Sequence, residues 1–451
     1  MQKIELPAAA GWILSDLEKA GFEAYIVGGC VRDSLMGNQP KDWDITTSAK
    51  PQDVKRIFRN TYDTGIEHGT VSVRFGTEIY EVTTYRVDGS YSDHRRPDAV
   101  EFTASLAEDL KRRDFTMNAM AYHPRTGLVD LFGGCRDIEQ KRICAVGDPM
   151  ERFDEDALRM LRAYRFAARF GFRLDQRTEF AIRRKAPLLS NVSRERIQAE
   201  MDELLVSPHP EILQDMVLSG LMHEIIPEWD ACTGFPQNTP YHCFPVDIHL
   251  IRTVEAAPRD RVIRWAALLH DIGKPLVRQT DADGRDHFPG HAEKSAEMAN
   301  EILRRLKFDN NLRHAVVTLI TEHDVAYPKD DAGMRHLLNR LPDGLYPYLH
   351  KLQEADAYAR DPAYLQISLD ELAEIRERYD RVVGEKQCVK LSQLAVTGRD
   401  LMEIGYTSGR EMGQILNLLL EQVLDRPEYN QREILLQAAA KLRNNTGDIN
   451  E

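Results

Sequence analysis

Residues 24–47 carry the sharpest change in the pattern of apolar and polar positions along the chain. The apolar run Ala24–Val27 has the length and β-branched content of a buried strand, and a helical pattern follows after Gly28 and Gly29. Because a strand that passes through two glycines into a helix brings backbone N–H groups close together, this pattern predicts a turn that binds phosphate oxygens. Arg32 falls on the first turn of the predicted helix, where its guanidinium can add a bidentate contact to the same anion.

Two aspartates, Asp42 and Asp44, lead into the β-branched segment Ile45–Thr47, and the pattern predicts that they belong to a strand. Residues two apart on a strand share one face and lie about 6–7 Å apart. Two carboxylates on one face can bind two hard divalent cations, which is the arrangement for in-line displacement at phosphorus. The alternating run Ile79–Arg86 predicts a further strand, on which Glu81 is either a third carboxylate of this site or a solvent-facing residue.

The next two segments are polar and charged. Gly89–Phe102 has little hydrophobic periodicity and predicts a mobile surface loop. In Ser105–Tyr122, the run Lys111–Asp114 puts three cations beside a carboxylate, ahead of a predicted helix that carries Asn118. Adjacent cations next to a carboxylate pair suit a triphosphate, whereas a solvated helix end is the alternative without that pair.

A clear amphipathic pattern runs through Asp154–Phe172 and predicts a single helix, with Asp156, Arg159, Arg162 and Arg165 at steps of three along one side. The aspartate can accept from the exocyclic amine of cytosine or adenine, while an arginine donates to the neighbouring ring acceptor. Uracil and guanine present a carbonyl at the position of that amine. One Asp–Arg pair therefore predicts selection of C and A without a template, with an exposed, salt-bridged helix as the alternative.

The helical pattern continues over residues 175–206 and is rich in cations that can contact an RNA phosphate backbone. For any one of them, a solvated helix face is an equally good interpretation. These cations are Arg177, Arg183, Arg184, Lys185, Arg194 and Arg196.

Histidines and aspartates recur in the helical second half of the chain. The candidates are His249, His270, Asp271, His291, His323 and Asp356. An adjacent His–Asp pair that closes an apolar helix, with a histidine upstream and an aspartate downstream, resembles the ligand set of the HD metal-dependent phosphohydrolases. Imidazoles and carboxylates of this kind share one or two transition metals, such as nickel, cobalt or manganese, that activate water against a phosphate ester.

Composition narrows the setting. A chain of 451 residues, 42% hydrophobic and 29% charged, predicts a globular protein of about two to four domains without a membrane span. A net charge of −13 argues against bulk nucleic-acid binding but permits local basic grooves. The six cysteines form no Cys-x-x-Cys pair, and the N-terminal stretch favours an amphipathic helix over a signal peptide, so a reducing cytoplasm fits best.

These motifs together resemble those of the class II CCA-adding tRNA nucleotidyltransferases, in the bacterial form that carries an HD domain. The motifs concerned are Gly28–Asp33, Asp42–Asp44, Glu81–Arg86, Arg112–Ala119 and Glu155–Arg159. The resemblance implies an α+β nucleotidyltransferase head followed by an all-α neck, an HD body and a tail. We expect the head at residues 1–148, the neck at 149–226, the HD domain at 227–375 and the tail at 376–451.

Site residues follow from the same resemblance. Asp42 and Asp44 would bind Mg²⁺, with Glu81 supporting them. Asp156 and Arg159 would read the incoming base of CTP or ATP, with Arg162 and Arg165 assisting. The tRNA would be held at its 3′ end and, by the segment from Leu394 onward, at its elbow. The residues expected to bind the rest of the nucleotide are Gly28, Gly29, Arg32, Arg113, Asp114 and Asn118.

Several alternatives stay open at the level of sequence. Bacterial poly(A) polymerases share the head motifs, although they usually carry a basic C-terminal extension where this chain has the polar, acidic tail 444–451. CC-only enzymes typically have a shortened loop after the third carboxylate, whereas Gly89–Phe102 is of full length, and an A-only enzyme remains possible. In another class, the protein would be chiefly an HD phosphohydrolase with an RNA-binding head. Conversely, the HD domain would be a structural body.

Overall fold

The computed structural model describes residues 3–88 and 100–447. The chain forms two compact units, one of residues 1–230 with 305–307 and the other of residues 231–304 with 308–451. The first unit contains a mixed sheet with helices, and the second is built almost entirely of helices. The predicted fold class, an α+β head followed by helical parts, is confirmed. The finer division into four domains stays a prediction.

A seven-stranded sheet organises the first unit, in the order β3-β4-β5-β2-β1-β8-β9. Its strands are β1 Ala24–Val27, β2 Ile45–Thr47, β3 Thr61–Gly65, β4 Thr70–Phe75, β5 Glu78–Thr84, β8 Met120–His123 and β9 Gly127–Asp130. Strand β2 runs parallel to β5 with Ile45 opposite Val82. Since the residues before this pair are Asp44 and Glu81, the register sets Asp44, just before β2, beside Glu81 in the middle of β5.

Two small pairings complete the strands of this unit. These are β6 Arg86–Asp88 with β7 Val100–Phe102, antiparallel, and β10 Arg142–Ile143 with β11 Arg173–Leu174, parallel. The last three residues of the predicted loop Gly89–Phe102 are therefore a strand. The remainder, residues 89–99, lies outside the described residues.

The helices of the first unit cover the sheet and then continue as a helical extension. They are α1 Ala8–Lys19, α2 Gly29–Leu35, α3 Pro51–Ile57, α4 Leu106–Lys111, α5 Gly134–Glu139, α6 Pro149–Glu155, α7 Leu158–Phe170, α8 Gln176–Lys185, α9 Arg194–Leu205, α10 Leu213–Leu218 and α11 Leu221–Ile225. The apolar faces of α1 and of the central strands bury Ile13, Leu17, Ile26, Ile45 and Val82 in one core. The site residues stand at the edge of this core.

Three local predictions were wrong. Asp42 and Asp44 precede β2 and do not lie on it. The cations of Lys111–Asp114 close α4 and do not lead a helix, because Asn118 sits in a short 3-10 turn, Thr116–Asn118. The single helix predicted over Asp154–Phe172 is interrupted between α6 and α7.

The second unit is helical, with one short hairpin. Its elements are α12 Val246–Ala256, α13 Arg261–Leu269, α14 Lys274–Val277, β12 Gln279–Thr280, β13 Asp286–His287, α15 His291–Arg305, α16 Asn310–Glu322, α17 Asp331–Arg340, α18 Tyr346–Tyr358, α19 Pro362–Gly384, α20 Gly398–Glu403, α21 Arg410–Asp425 and α22 Arg432–Gly447. Helices α20 to α22 share a core that includes Leu401, Leu419, Val423 and Leu435. Helix α22 includes the first residues of the predicted polar tail, and residues 448–451 lie outside the described part. Within the described part, no helix combines the length and apolarity that crossing a bilayer requires.

Candidate active site and metal centre

The turn after β1 contains Gly28, and two other predicted site residues, Arg113 and Asp44, lie close to the backbone of this glycine. Gly28 has φ 83° and ψ −131°, a conformation that favours glycine. A Cβ atom placed on Gly28 would lie 3.1 Å from Nη1 of Arg113 and 4.0 Å from Oδ2 of Asp44. The absence of a side chain therefore matters twice, for the left-handed backbone and for the close approach of a cation and a carboxylate.

Asp44 lies at the centre of the carboxylate group in the first unit. Its carbonyl oxygen accepts from the Val27 N–H at 3.0 Å, which fixes it against the end of β1. Burial raises the pKa of Asp44, the Arg113 charge opposes this, and the charges of Glu81 and Asp42 raise it further. The structure thus brings Glu81 and Asp42 close enough to Asp44 for their charges to act on it.

Three gathered carboxylates are a suitable donor set for a hard divalent cation, since carboxylate oxygens are the ligands such ions prefer. Asp42 and Glu81 are exposed, so an entering ion can reach them. Within the described residues, the three do not form a set of ligand atoms within 4.8 Å of one another, whereas histidines of the second unit do. The residue types fit a magnesium site that a bound ion would draw together.

A buried network connects the glycine turn to α7. Arg32 is 4% exposed and donates to Asp33 at 2.8 Å and to Oδ1 of Asn118 at 2.6 Å. The Asn118 amide donates to Asp114 at 3.0 Å, and Arg162 donates to the other oxygen of Asp114 at 2.7 and 3.0 Å. Burial raises the pKa of Asp114. The Arg162 charge and the hydrogen bonds from Asn118 and Arg162 outweigh the effect of burial, so the pKa of Asp114 is lowered to about 2. Four predicted nucleotide-binding residues are therefore joined in one chain of hydrogen bonds.

Asp109 orients the cations at the end of α4, and the sequence reasoning missed it. It is fully buried, accepts from Arg112 at 2.8 and 3.0 Å, and accepts from Arg113 at 3.3 Å. Thr46 of β2 donates to the same carboxylate at 3.2 Å. Burial raises the pKa of Asp109, but the charges of Arg113 and Arg112 outweigh it and lower it. The spacing of three and four residues to these arginines was the available signal.

Asp156 stands in the break between α6 and α7, with φ −140° and ψ 103°. One carboxylate oxygen accepts from the Leu158 N–H at 3.0 Å and so satisfies a free donor at the start of α7. The other accepts from Arg196 of α9 at 2.8 Å. Arg159 instead donates to Glu155 at 2.6 Å and to the Arg112 carbonyl at 3.0 Å. The expectation that Asp156 and Arg159 are neighbours on one helix was therefore wrong, because a helix-capping aspartate must leave the helical conformation.

Helix α9 supplies the partners of the base-reading candidates. Glu200 accepts from Arg165 and lies 3.6 Å from Nη1 of Arg162. Arg196, one turn earlier, holds Asp156. The sequence reasoning did not single out Glu200 and assigned Arg196 to RNA phosphates. Their spacing of four residues places both on one face of α9.

The second unit gathers all six predicted metal ligands, which are His249 of α12, His270 and Asp271 after α13, His291 at the start of α15, His323 after α16 and Asp356 of α18. Each imidazole turns its Nδ1 to a backbone carbonyl, at 3.2 Å for His249, 2.9 Å for His270, 2.9 Å for His291 and 2.6 Å for His323. A carbonyl only accepts, so each Nδ1 is the donor and each Nε2 is directed at the cluster. This is the orientation of histidine metal ligands.

Asp271 lies between two groups of imidazoles. Its Oδ2 is 3.2 Å from Nε2 of His249 and 3.3 Å from Nε2 of His270. Its Oδ1 is 3.3 Å from Nε2 of His291 and 3.7 Å from Nε2 of His323. Both groups bring their ligand atoms within 4.8 Å of one another. The carboxylate is thus placed to bridge two cations.

Several nitrogen and oxygen atoms of the cluster face no hydrogen-bond donor among the described residues, and this observation tests whether the cluster fits a metal ion. Nε2 of His249 and Nε2 of His270 are 3.2 Å apart, although both rings already donate through Nδ1. Oδ1 of Asp271 and Oδ1 of Asp356 are buried and accept no hydrogen bond from the described residues. Two facing nitrogens and two such oxygens are satisfied together by a transition metal ion.

The cluster opens into a cavity of about 720 Å³, whose lining includes three groups that the sequence reasoning missed: Lys274, His242 and Arg360. Lys274 donates to Oδ2 of Asp271 at 2.6 Å, and Arg360 pairs with Asp356. Burial raises the pKa of both aspartates. The charge of Lys274 beside Asp271 and that of Arg360 beside Asp356 outweigh the effect of burial, so both pKa values lie well below their usual range. Cations beside a metal cluster in a cavity suit a phosphate ester.

The glycine turn, the gathered carboxylates and the mixed sheet define the first unit as a nucleotidyltransferase, and the second unit carries an HD-type cluster of histidines and aspartates. Known families match in the same order, as Poly A polymerase head domain over residues 24–144, Probable RNA and SrmB-binding site of polymerase A over 171–233, and HD domain over 246–361. A CCA-adding enzyme from Lactobacillus helveticus is 36% identical over 414 residues, which are 91% of each chain. The chain belongs to the family of CCA-adding enzymes.

Solved structures agree with this assignment. The Bacillus stearothermophilus CCA-adding enzyme in complex with CTP is 30% identical, with a TM-score of 0.72 and coverage of 98% of each chain. The Thermotoga maritima CCA-adding enzyme complexed with tRNA is 19% identical, with a TM-score of 0.60 over 98% of this chain and 99% of the other, and shares the fold. The resemblance drawn from the sequence motifs is confirmed.

The position of Asp156 predicts the effect of two substitutions on base selection. If Asp156 accepts from the amine of C or A, as predicted, Asp156→Ala removes that acceptor and the repulsion of a carbonyl, so activity with CTP and ATP should fall. Their advantage over UTP and GTP should shrink by roughly tenfold to a hundredfold. Arg196→Ala should reduce the same advantage by a smaller factor, because it frees the carboxylate without removing it. Incorporation of all four nucleotides measures both effects.

Arg183→Ala is the matched control, because Arg183 pairs with Glu179 on an exposed helix face. Melting curves account for the lost helix cap, which is worth about 1 kcal/mol. Unchanged selectivity in Asp156→Ala would mean that Asp156 only caps α7 and that the base is read elsewhere.

Proposed function

We propose that this chain adds CCA to the 3′ ends of tRNA from CTP and ATP, without a nucleic-acid template. The observation that carries the proposal is the group of Asp42, Asp44 and Glu81 beside the glycine turn and Arg113. Membership of the CCA-adding family supports it, and so do relatives described in complex with CTP and with tRNA.

Asp42 and Asp44 would hold Mg²⁺, and Glu81 would support them from the neighbouring strand. Bound magnesium supplies charge neutralisation at the triphosphate and at the attacking 3′ oxygen. Arg113 and the backbone at Gly28 and Gly29 would hold the phosphates. Arg113 suits this role because Asp109 fixes it beside the turn.

Base choice would rest on Asp156, with Arg159, Arg162 and Arg165 completing the protein template. In this structure Arg162 and Arg165 are tied to Asp114 and Glu200 and are therefore held in place before a nucleotide arrives. Pre-positioned donors and acceptors favour discrimination, because a wrong base leaves a buried polar group unpaired.

The predicted division of labour completes the proposal. Residues 1–148 would be the catalytic head, 149–226 the neck, 227–375 the HD domain and 376–451 the tail, whose part from Leu394 onward would meet the tRNA elbow. All six cysteines are free thiols, which fits a reducing cytoplasm.

The end product separates this proposal from its closest alternative, because the match to a poly(A) polymerase head domain covers the part that both enzymes share. Transcripts of tRNA that lack CCA, end in CC or are complete should each be incubated with CTP and ATP. Addition should stop once CCA is finished. A long adenylate ladder would favour a poly(A) polymerase, and addition of A only to CC ends would identify an A-adding enzyme.

A second activity, metal-dependent phosphohydrolysis, is favoured by the bridging position of Asp271 and by the cations of the cavity. His249, His270, Asp271 and Asp356 would hold one metal, and Asp271, His291 and His323 a second. Nickel, cobalt and manganese suit these ligands. A bound metal would supply a hydroxide at neutral pH. Lys274 and Arg360 would orient the phosphate.

His270→Ala tests this site. With nickel, cobalt or manganese, the wild-type protein should hydrolyse a generic phosphodiester or a 2′,3′-cyclic phosphate. The variant should lose that hydrolysis together with bound metal, measured by elemental analysis, while keeping CCA addition. His314→Ala, which alters an exposed histidine of α16, is the control. Hydrolysis that survives His270→Ala would place the activity elsewhere.

A further inference from the structure

The outer face of α8 presents an aromatic ring between two arginines. Phe180 is 58% exposed. Arg177 lies three residues before it and Arg184 four residues after it, so all three share one face of the helix. The Arg184 guanidinium lies 5.4 Å from the centre of the Phe180 ring. A large exposed ring with flanking cations differs from the isolated apolar side chains that soluble proteins commonly expose.

The structure sorts the six cations that the sequence offered for RNA phosphates. Four are engaged: Arg183 with Glu179, Lys185 with Asp154, Arg194 with the Glu224 carbonyl and Arg196 with Asp156. Arg177 and Arg184 form no salt bridge with any carboxylate of residues 3–88 and 100–447. Of the six cations, the two whose side chains pair with neither a carboxylate nor a carbonyl of the described residues are therefore the two that flank Phe180.

Charge favours RNA as the ligand of this face. Helix α8 carries four cations and one carboxylate, Glu179, in a chain whose net charge is −13. A local positive patch on an acidic protein attracts a polyanion there and leaves the remaining surface repulsive. Residues 171–233 also match the family described as a probable RNA-binding site of polymerase A.

We propose that Arg177, Phe180 and Arg184 form a binding platform for the RNA substrate, with a base stacked on Phe180 and backbone phosphates on the arginines. The two arginines are about 10 Å apart along the helix axis, so they contact different phosphates. Stacking on a ring tolerates every base, which suits an enzyme that receives many tRNA sequences. The identity of the RNA as tRNA rests on the proposed function. The platform itself rests on the geometry of α8.

Binding of tRNA that lacks CCA to the full-length protein tests the platform. Phe180→Ala should weaken binding by roughly tenfold, the range expected for loss of one stacked base. Arg177→Gln with Arg184→Gln should flatten the plot of log K against log salt concentration by about 1.4 to 1.8, since each phosphate contact contributes about 0.7–0.9. In CCA addition, KM for tRNA should rise, while kcat at saturating tRNA and KM for CTP stay at the wild-type values.

Two matched substitutions serve as controls. Arg183→Gln removes a charge of the same helix that Glu179 already neutralises, and Tyr62→Ala truncates another ring, 48% exposed, on β3. Both should bind tRNA as the wild type does, with unchanged melting temperatures in all variants. Wild-type affinity and salt dependence in Phe180→Ala and the double variant would overturn the platform and leave this face to a protein partner. Failure of the wild-type protein to add CCA would instead contradict the proposed function. The RNA affinities of the variants would still test the platform in that case.

Discussion

The first unit depends on one electrostatic constraint, which is that like charges must be kept together where the start of β2 lies beside the middle of β5. The parallel register of these strands sets Asp44 beside Glu81. Asp42 lies two residues before Asp44, in the segment that precedes β2, and its charge also acts on Asp44. Burial is the main cause that raises the pKa of Asp44, and the charges of Glu81 and Asp42 raise it further. Arg113, which Asp109 holds in place and for which the glycine at position 28 leaves room, opposes this rise. A site that already concentrates negative charge is ready for a divalent cation.

Charge pairs then connect the residues beside the sheet to helices α7 and α9. Asp114 accepts hydrogen bonds from Asn118 and Arg162. Glu200 of α9 accepts from Arg165 and also lies near the Arg162 guanidinium. Buried or half-buried pairs of this kind add little net stability, since desolvation offsets their attraction. Their contribution is position. A base-reading site without a template depends on such fixed donors and acceptors, because its selectivity lies in leaving the wrong base unpaired.

Much of this could be predicted from sequence, because short motifs keep their chemistry in any context. Glycine pairs, Asp-x-Asp and an adjacent His–Asp pointed to residues that the structure brings close together, and their functional roles stay predictions. The interruption at Asp156 was missed, since the apolar positions keep helical spacing through the break and only the capping bond reveals it. Asp109 and Lys274 pair with residues three or four positions away, a signal that was present in the sequence but was not used. Glu200 was missed because it acts on α7 through tertiary packing. Neither pairing register nor a side chain's contacts can be deduced from a single sequence without coordinates.

Nucleotide incorporation by Asp44→Asn, compared with its tRNA binding, tests the central claim most directly. The substitution keeps the size of the side chain but removes the charge that the group of carboxylates would offer to magnesium. We expect incorporation of CTP and ATP to be lost, with tRNA affinity and melting temperature close to those of the wild type. Asp16→Asn, which removes an exposed carboxylate of α1, should leave incorporation unchanged. Wild-type incorporation by purified Asp44→Asn would contradict the assignment of these carboxylates to catalysis.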